Sequence, residues 1–444
     1  MSIISEIALE SNKNIHVNFE GGNLSSDAGM LLIKEFIHKF GVEKLAKEIF
    51  RTTDPGHIRF HKDHENLLQI LFQIMGAYFQ DGHADALRND PAITAAAGKE
   101  TLASQPILSR FHNRLDEKTL AQLEEMIRTI RRRAYSVKMP EHVLLDLDST
   151  LFATFGKQEG GAFNFHYQAN GYHPLICFDG MTGDLLKIEL RPGTQYCCNG
   201  AAEFMRPLLE EYQENYPNTS LFLRCDSGFA TDELYRVCEG NGTSYVIRLK
   251  ENEVLRKLAK ELDDELYDLT QTREDTLSYA VVYGEFEYKA NSWDYPRRVV
   301  CKIEKPYGQL IHMNTFVVTN MDSSPEELIR FYCKRGQMEN FIKECKSGFD
   351  MDYVVSSSSQ IVNANRVLIH ALAYLLFNLF RRLVLPDKMQ KDRVDTLRLK
   401  LIKIAARIVR SARYIVFKLC GSCPFQHEFF ETLHNIRQIQ PIPE

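Results

Sequence analysis

The order of elements between residues 142 and 249 constrains the fold more than any other feature of the chain. It opens on "HVLLDLDST", a short apolar run ending in carboxylates. Two strand-like stretches follow, "YHPLICFD" and "LLKIELRPG", separated by the turn "GMTGD". A helix predicted over about 201–212 leads to the strand "SLFLRC", a second helix beginning near Thr231 and the strand "SYVIRL". A three-stranded meander followed by two helix–strand pairs buries its apolar faces best as one mixed sheet covered by helices, which predicts an α/β protein.

That order is similar to the ribonuclease-H-like arrangement, and the rest of the chain is read around such a core. Residues 1–138 read mainly as helices with polar connectors, as in the apolar-periodic runs 67–79 and 120–130. The core is expected over 139–250 and 314–384. Between these parts, 251–313 reads as a β-rich insertion with alternating strands in "SYAVVYGEFEYKA" and "RRVVCKIEK". A basic, helical C-terminal region is expected over 385–444. With 444 residues and 44% apolar content, the chain has material for more than one core.

The net charge of −5 excludes a uniformly basic surface. The charge is uneven, however: segment 381–418 holds twelve Lys and Arg against Asp387, Asp392 and Asp395. Leu399, Ile402, Ala406 and Val409 are spaced as an apolar helical stripe there, and Arg407 and Arg410 stand among the charges beside it. The ten cysteines are scattered without zinc-site spacing, as reduced thiols would be. No signal segment and no uncharged apolar run of 18 residues is read, so a cytoplasmic protein without a membrane partner is expected.

The best-marked helix starts at Ser324, with Pro325 in its first turn and Glu327 completing a capping box, and can end at Gly348. On one continuous helix, Tyr332, Arg335, Glu339 and Lys346 fall in a single stripe, and Met338, Phe341, Ile342 and Cys345 form an apolar stripe beside it. The alternative is a solvated face held by an Arg335–Glu339 pair. Asp148 and Asp226 each end an apolar strand, so their carboxylates emerge from the sheet interior. Two such carboxylates and a helix glutamate at one edge repel unless a cation intervenes, and hard oxygen ligands favour Mg²⁺. Asp146 shares a face with Asp148 but lies deeper in its strand, which makes it the poorer ligand.

The phrases "LDLDST" and "LRCDSGF" and the Y-x2-R-x3-E-x6-K spacing of "YCKRGQMENFIKECK" resemble the DDE transposases of bacterial insertion sequences with a YREK signature. "GGNLSSDAG", "YFQDGHADALRNDPA" and "LASQPILSRFHNRL" point to insertion-sequence family 1380, with His112 departing from the family's acidic residue. The resemblance implies a catalytic and metal-binding triad of Asp148, Asp226 and Glu339, with two Mg²⁺ ions (or Mn²⁺), and places Tyr332, Arg335 and Lys346 near the DNA phosphates. It implies binding of terminal inverted repeats, with a helical DNA-binding domain before the core, cleavage to a free 3′-OH, joining to target DNA and a synaptic homodimer. Arg407 and Arg410 are the expected DNA contacts of the basic segment. The rivals are a domesticated DNA-binding descendant that does not cut, and a metal-dependent nuclease without strand transfer.

Three weaker signals are read blandly. Trp293, the one tryptophan, could stack on an extruded base but is expected to pack the hairpin of the insertion. His57, His61 and His64 are expected at the surface, and Cys420-x2-Cys423 as a chance spacing.

Overall fold

The computed structural model describes residues 6–54, 56, 59–271 and 277–440. His57 lies outside them. The chain divides into two compact units, one of residues 1–133, 347–350 and 372–444, the other of 134–346 and 351–371.

The first unit is mainly helical. Helix Asp63–Met75 is its core element, with every residue from Asn66 to Met75 buried. Gln69 within it donates to the Ala103 carbonyl and accepts from the Ala103 amide. Helix Pro91–Ala97 starts where Asp90 accepts from two backbone amides and ends at Gly98, whose φ of 65° suits a residue without Cβ. The buried Arg398 guanidinium donates to the carbonyls of Ile74, Met75 and Gly348, so it completes the C-terminus of the core helix. A residue read as part of a charged surface is thus a structural one.

The helical reading of the C-terminal region holds for residues 394–402 and Gln426–Gln438 but requires correction between them. Ala406–Arg410 and Ile415–Leu419 are antiparallel strands closed by a turn at Ser411–Tyr414, and Ala406 and Arg407 also pair with Ser25 and Leu24. Ile408, Val409, Ile415 and Val416 are β-branched, and this local preference outweighs the 3.6-residue spacing that suggested a helix. His61 is buried rather than superficial, with Nδ1 3.3 Å from the Lys99 amine.

The second unit is built on an eight-stranded sheet. Its strands are β1 (His142–Ser149), β2 (Leu175–Asp179), β3 (Leu185–Glu189), β4 (Ser220–Cys225), β5 (Ser244–Leu249), β6 (Ala280–Tyr288), β7 (Arg297–Lys305) and β8 (Met313–Thr319). They lie in the order β6-β7-β8-β5-β4-β1-β2-β3; β1, β4 and β5 are mutually parallel and the other pairings antiparallel. Helices α1 (Ala201–Asn215) and α2 (Asp232–Gly240) provide the crossovers, α3 (Glu253–Leu258) and α4 (Lys260–Gln271) follow β5, and α5 (Pro325–Cys333) and α6 (Gly336–Phe349) follow β8.

The strands read as an insertion, β6 and β7, extend this sheet through β8 instead of standing apart. Their alternation shows one buried face each but not which partner covers the free edge. Trp293 sits between them, 4% exposed, edge-on to Tyr235 and Tyr288, in the packing role expected of it. Between β1 and β2 the chain also forms a three-stranded sheet of Phe152–Ala153, Ala169–Tyr172 and Ala162–Asn164.

Helix α7 (Gln360–Val384) is long and apolar enough to cross a bilayer by length and composition alone. Of its most apolar stretch 83% is buried in the protein, as in the interior helix of a globular domain.

Candidate active site

The backbone brings two of the three expected carboxylates together. β1 and β4 are adjacent and parallel, so their C-terminal ends share one edge of the sheet. Asp148 is the penultimate residue of β1, and Asp226 immediately follows β4. Asp226 also caps the short turn Ser227–Phe229 by accepting from the Gly228 amide at 2.9 Å, and Asp148 accepts from the Ser149 amide at 2.8 Å. Arg335 joins them: its Nη2 lies 2.6 Å from Asp148 Oδ2 and 3.9 Å from Asp226 Oδ2.

Electrostatics make this an unusual carboxylate. Burial pushes the Asp148 carboxyl up to about 6, against the pull of Arg335 and with a further push from Asp226. Burial disfavours the Arg335 charge, but Asp148 and Asp226 outweigh it and raise the guanidinium. Arg335 Nη2 is taken by Asp148, but its Nε is buried with no hydrogen-bond acceptor among the described residues, so the ion pair leaves a donor to spare.

Asp146 has another task. It is fully buried, and the Arg224 guanidinium donates to both of its oxygens at 2.7 and 2.6 Å across neighbouring strands. Arg224 Nη1 also donates to the Phe331 carbonyl at 2.8 Å, linking β4 to α5. A Cβ at Gly180 would lie 2.2 Å from Asp146 Oδ2, so glycine is required beside this pair. Asp146 is therefore committed to a structural ion pair, in keeping with its expected poverty as a metal ligand.

The helix expected from Ser324 to Gly348 is two helices. Its start is as read, with Ser324 and Glu327 forming the capping box. At Lys334 and Arg335 the chain tightens: the Arg335 amide bonds the Tyr332 carbonyl and the Met338 amide the Arg335 carbonyl, each three residues back. Gly336, a poor helix interior residue, stands at the break. The single stripe is thereby interrupted. Tyr332 is buried among Val246, Val300, Val317, Leu328 and Ile329. Lys346 Nζ donates to the Leu151 carbonyl at 2.7 Å and lies over the Phe152 ring. Glu339 is exposed, and no group of three His, Cys, Asp or Glu able to hold a metal occurs among the described residues. Asp148 and Asp226 fit a hard divalent cation in donor type, as carboxylate oxygens on one sheet edge, one largely buried and one 42% exposed, whereas Glu339 does not join them in this arrangement.

Sequence reasoning missed Arg224 and Tyr167. Arg224 ends an apolar strand, and an arginine two positions before Asp226, in register with Asp146, was the signal that could have found it. The Tyr167 hydroxyl donates to the Ser149 carbonyl at 3.3 Å; burial, then Asp148 and Asp226, push it up to about 12.

A solved structure of a piggyBac transposase synaptic complex with hairpin DNA is similar at 14% identity and a TM-score of 0.40, covering 84% of this chain and 77% of that one. No curated protein matches the chain. Residues 7–441 match the family described as Transposase DDE domain group 1, and by that match over nearly its whole length the chain belongs to this family of DDE transposases.

Proposed function

We propose that this transposase binds the terminal inverted repeats of its own insertion sequence, of family 1380, hydrolyses DNA there and joins the freed 3′-OH to target DNA. The observation that carries the reading is the meeting of Asp148 and Asp226 on Arg335 at the ends of adjacent parallel strands. The order β3-β2-β1-β4-β5, with β1, β4 and β5 parallel, supports a ribonuclease-H-like core.

In the first step a water oxygen bonds to phosphorus, the 3′ bridging oxygen leaves with the electron pair of the broken bond, and a proton returns it to the 3′-OH. In the second step the oxygen of that hydroxyl, giving up its proton, bonds to a target phosphorus as the target's own P–O3′ bond breaks and its 3′ oxygen leaves with the electron pair and takes up a proton, so bonds are exchanged without a covalent protein intermediate. Asp148 and Asp226 would hold Mg²⁺ or Mn²⁺, which when bound would supply Lewis-acid stabilisation of the attacking and leaving oxygens; Glu339 would complete the set only by moving from the exposed position it has here. Arg335 offsets part of the charge of the two aspartates and turns its spare Nε–H to a phosphate oxygen. Lys346 fixes the chain that follows Asp148 through the Leu151 carbonyl. Arg407 and Arg410, both exposed on the C-terminal hairpin, and the helical N-terminal region bind the duplex, and a homodimer holds the two ends.

The test is cleavage of a duplex carrying the repeat that flanks the gene. Wild type cleaves it in Mg²⁺ and Asp148→Asn does not while still binding it. Normal cleavage by Asp148→Asn rejects the assignment. Joining of a precut end to a second duplex separates a transposase from a nuclease that stops at hydrolysis.

A further inference from the structure

The three-stranded sheet between β1 and β2 carries side chains that the chemistry above does not use. Its turn, residues 164–168, presents Phe165 at 82% exposure, flanked by Phe163 at 43% and Tyr167 at 37%, with His166 also exposed. Burying an aromatic ring is among the larger favourable terms in folding, and here one ring is left almost wholly in water with two part-exposed rings beside it. The rings are not loosely placed. The buried Asn164 accepts from the His166 amide at 3.0 Å and the Tyr167 amide at 3.3 Å, and donates to the Gly193 carbonyl at 3.1 Å. Gln168 closes the turn with a φ of 54°. Phe163 and Phe165 meet edge to face at 5.3 Å, as do His166 and Tyr167 at 4.7 Å, a geometry that holds the rings in place while Phe165 stays 82% exposed.

The turn is continuous with the acidic site. Tyr167 reaches the carbonyl of Ser149, the residue after Asp148. Its ring also lies 5.6 Å from that of His173, a 4% exposed side chain whose Nδ1 donates to the Gln195 carbonyl and whose Nε2 has no hydrogen-bond partner among the described residues. From Gly160 to Asp179 the sequence contains no acid before Asp179 itself, so nothing on the turn repels a phosphodiester.

We propose that Phe163, Phe165 and Tyr167 form a stacking platform for the bases of an unpaired DNA strand next to the scissile phosphate, so that the preferred substrate at this site is a locally opened duplex. Stacking on aromatic side chains suits any base, because every base presents a π face. A protein partner would be expected to bring a wider apolar surface than three rings flanked by Asn170, Gln168 and His166. The placement beside the scissile bond rests on the catalytic reading above; the stacking itself does not.

The experiment is therefore a binding measurement in EDTA with the full chain. The probe is a fluorescent oligothymidylate, alone or annealed to oligoadenylate. Phe163→Ala/Phe165→Ala is expected to weaken single-strand binding about 10-fold or more and leave duplex binding within about 2-fold, and Phe165→Trp to retain wild-type affinity. Both residues are exposed, so the variants keep the fold, checked by an unchanged melting temperature. A 5-iodouracil placed in the oligothymidylate should photocrosslink to the peptide containing Phe165. Equal loss on both probes, no loss on either, or crosslinking confined to other peptides overturns the proposal. Should Asp148→Asn cleave normally while the selective loss persists, the catalytic reading fails and the stacking platform stands.

Discussion

Arg335 Nη2 lies 2.6 Å from Asp148 Oδ2, with both side chains about 15% exposed (14% and 15%). A buried pair of this kind is worth little by itself, but removing one partner strands the other charge. Arg335→Ala should therefore weaken cleavage of the end duplex about 10-fold or more, roughly 1.4 kcal/mol, while Mg²⁺ still binds. Lys346→Ala should show a similar loss, here by loosening the Leu151 carbonyl. Metal titration beside cleavage of a matched duplex checks both, and wild-type rates in the two variants would reduce these residues to ordinary helix-surface charges.

The raised Asp148 carboxyl gives a pH signature in metal-free protein. Because its folded value of about 6 exceeds the ordinary 3.8, the folded state binds the proton more tightly between these limits. Stability from this group is therefore present at low pH and lost as pH rises from about 4 to about 6. Asp148→Asn should melt like wild type near pH 4 and above it at pH 7, by an amount on the order of 1 to 3 kcal/mol. A constant gap across that window in thermal melts would contradict the electrostatic account.

Asp146 and Arg224 allow a stability test away from the reacting groups. Arg224→Leu leaves the fully buried Asp146 carboxylate without its partner and should cost about 3 to 5 kcal/mol. Arg224→Leu combined with Asp146→Leu should recover most of that. Chemical denaturation of the single and double variants measures the coupling.

Arg407→Ala/Arg410→Ala should flatten the salt dependence of duplex binding. Every phosphate that these side chains neutralise in wild type contributes roughly 0.9 to the log–log slope, and the double variant forgoes that contribution. An unchanged slope returns the two arginines to a solvated hairpin surface.

Much of the core was legible because period-2 patterns and turn residues are local. "HVLLDLDST", "SLFLRC" and "SYVIRL" are β1, β4 and β5, and their parallel pairing follows from the helices between them. The placement of Asp148 and Asp226 at one edge is a consequence of that same order. What was not legible depended on tertiary partners. Nothing local to β6 and β7 says that their free edge meets β8, and nothing in Ala406–Arg410 says that Leu24 and Ser25 wait beside it. The Tyr332-to-Lys346 stripe failed as a continuous face because periodicity arguments assume an unbroken i→i−4 ladder, and the ladder stops at Arg335.

That stop has an owner on another element. In an uninterrupted helix the Arg335 amide would take the Phe331 carbonyl; here it takes Tyr332, and the released carbonyl accepts from Arg224 instead. The break is thus tied to the sheet: one arginine, held by Asp146, satisfies the carbonyl four residues before a second arginine, Arg335. The core of this protein therefore reaches the edge of the site, since the arginine that pairs with Asp146 also takes up the backbone group left over where the helix bearing Arg335 breaks.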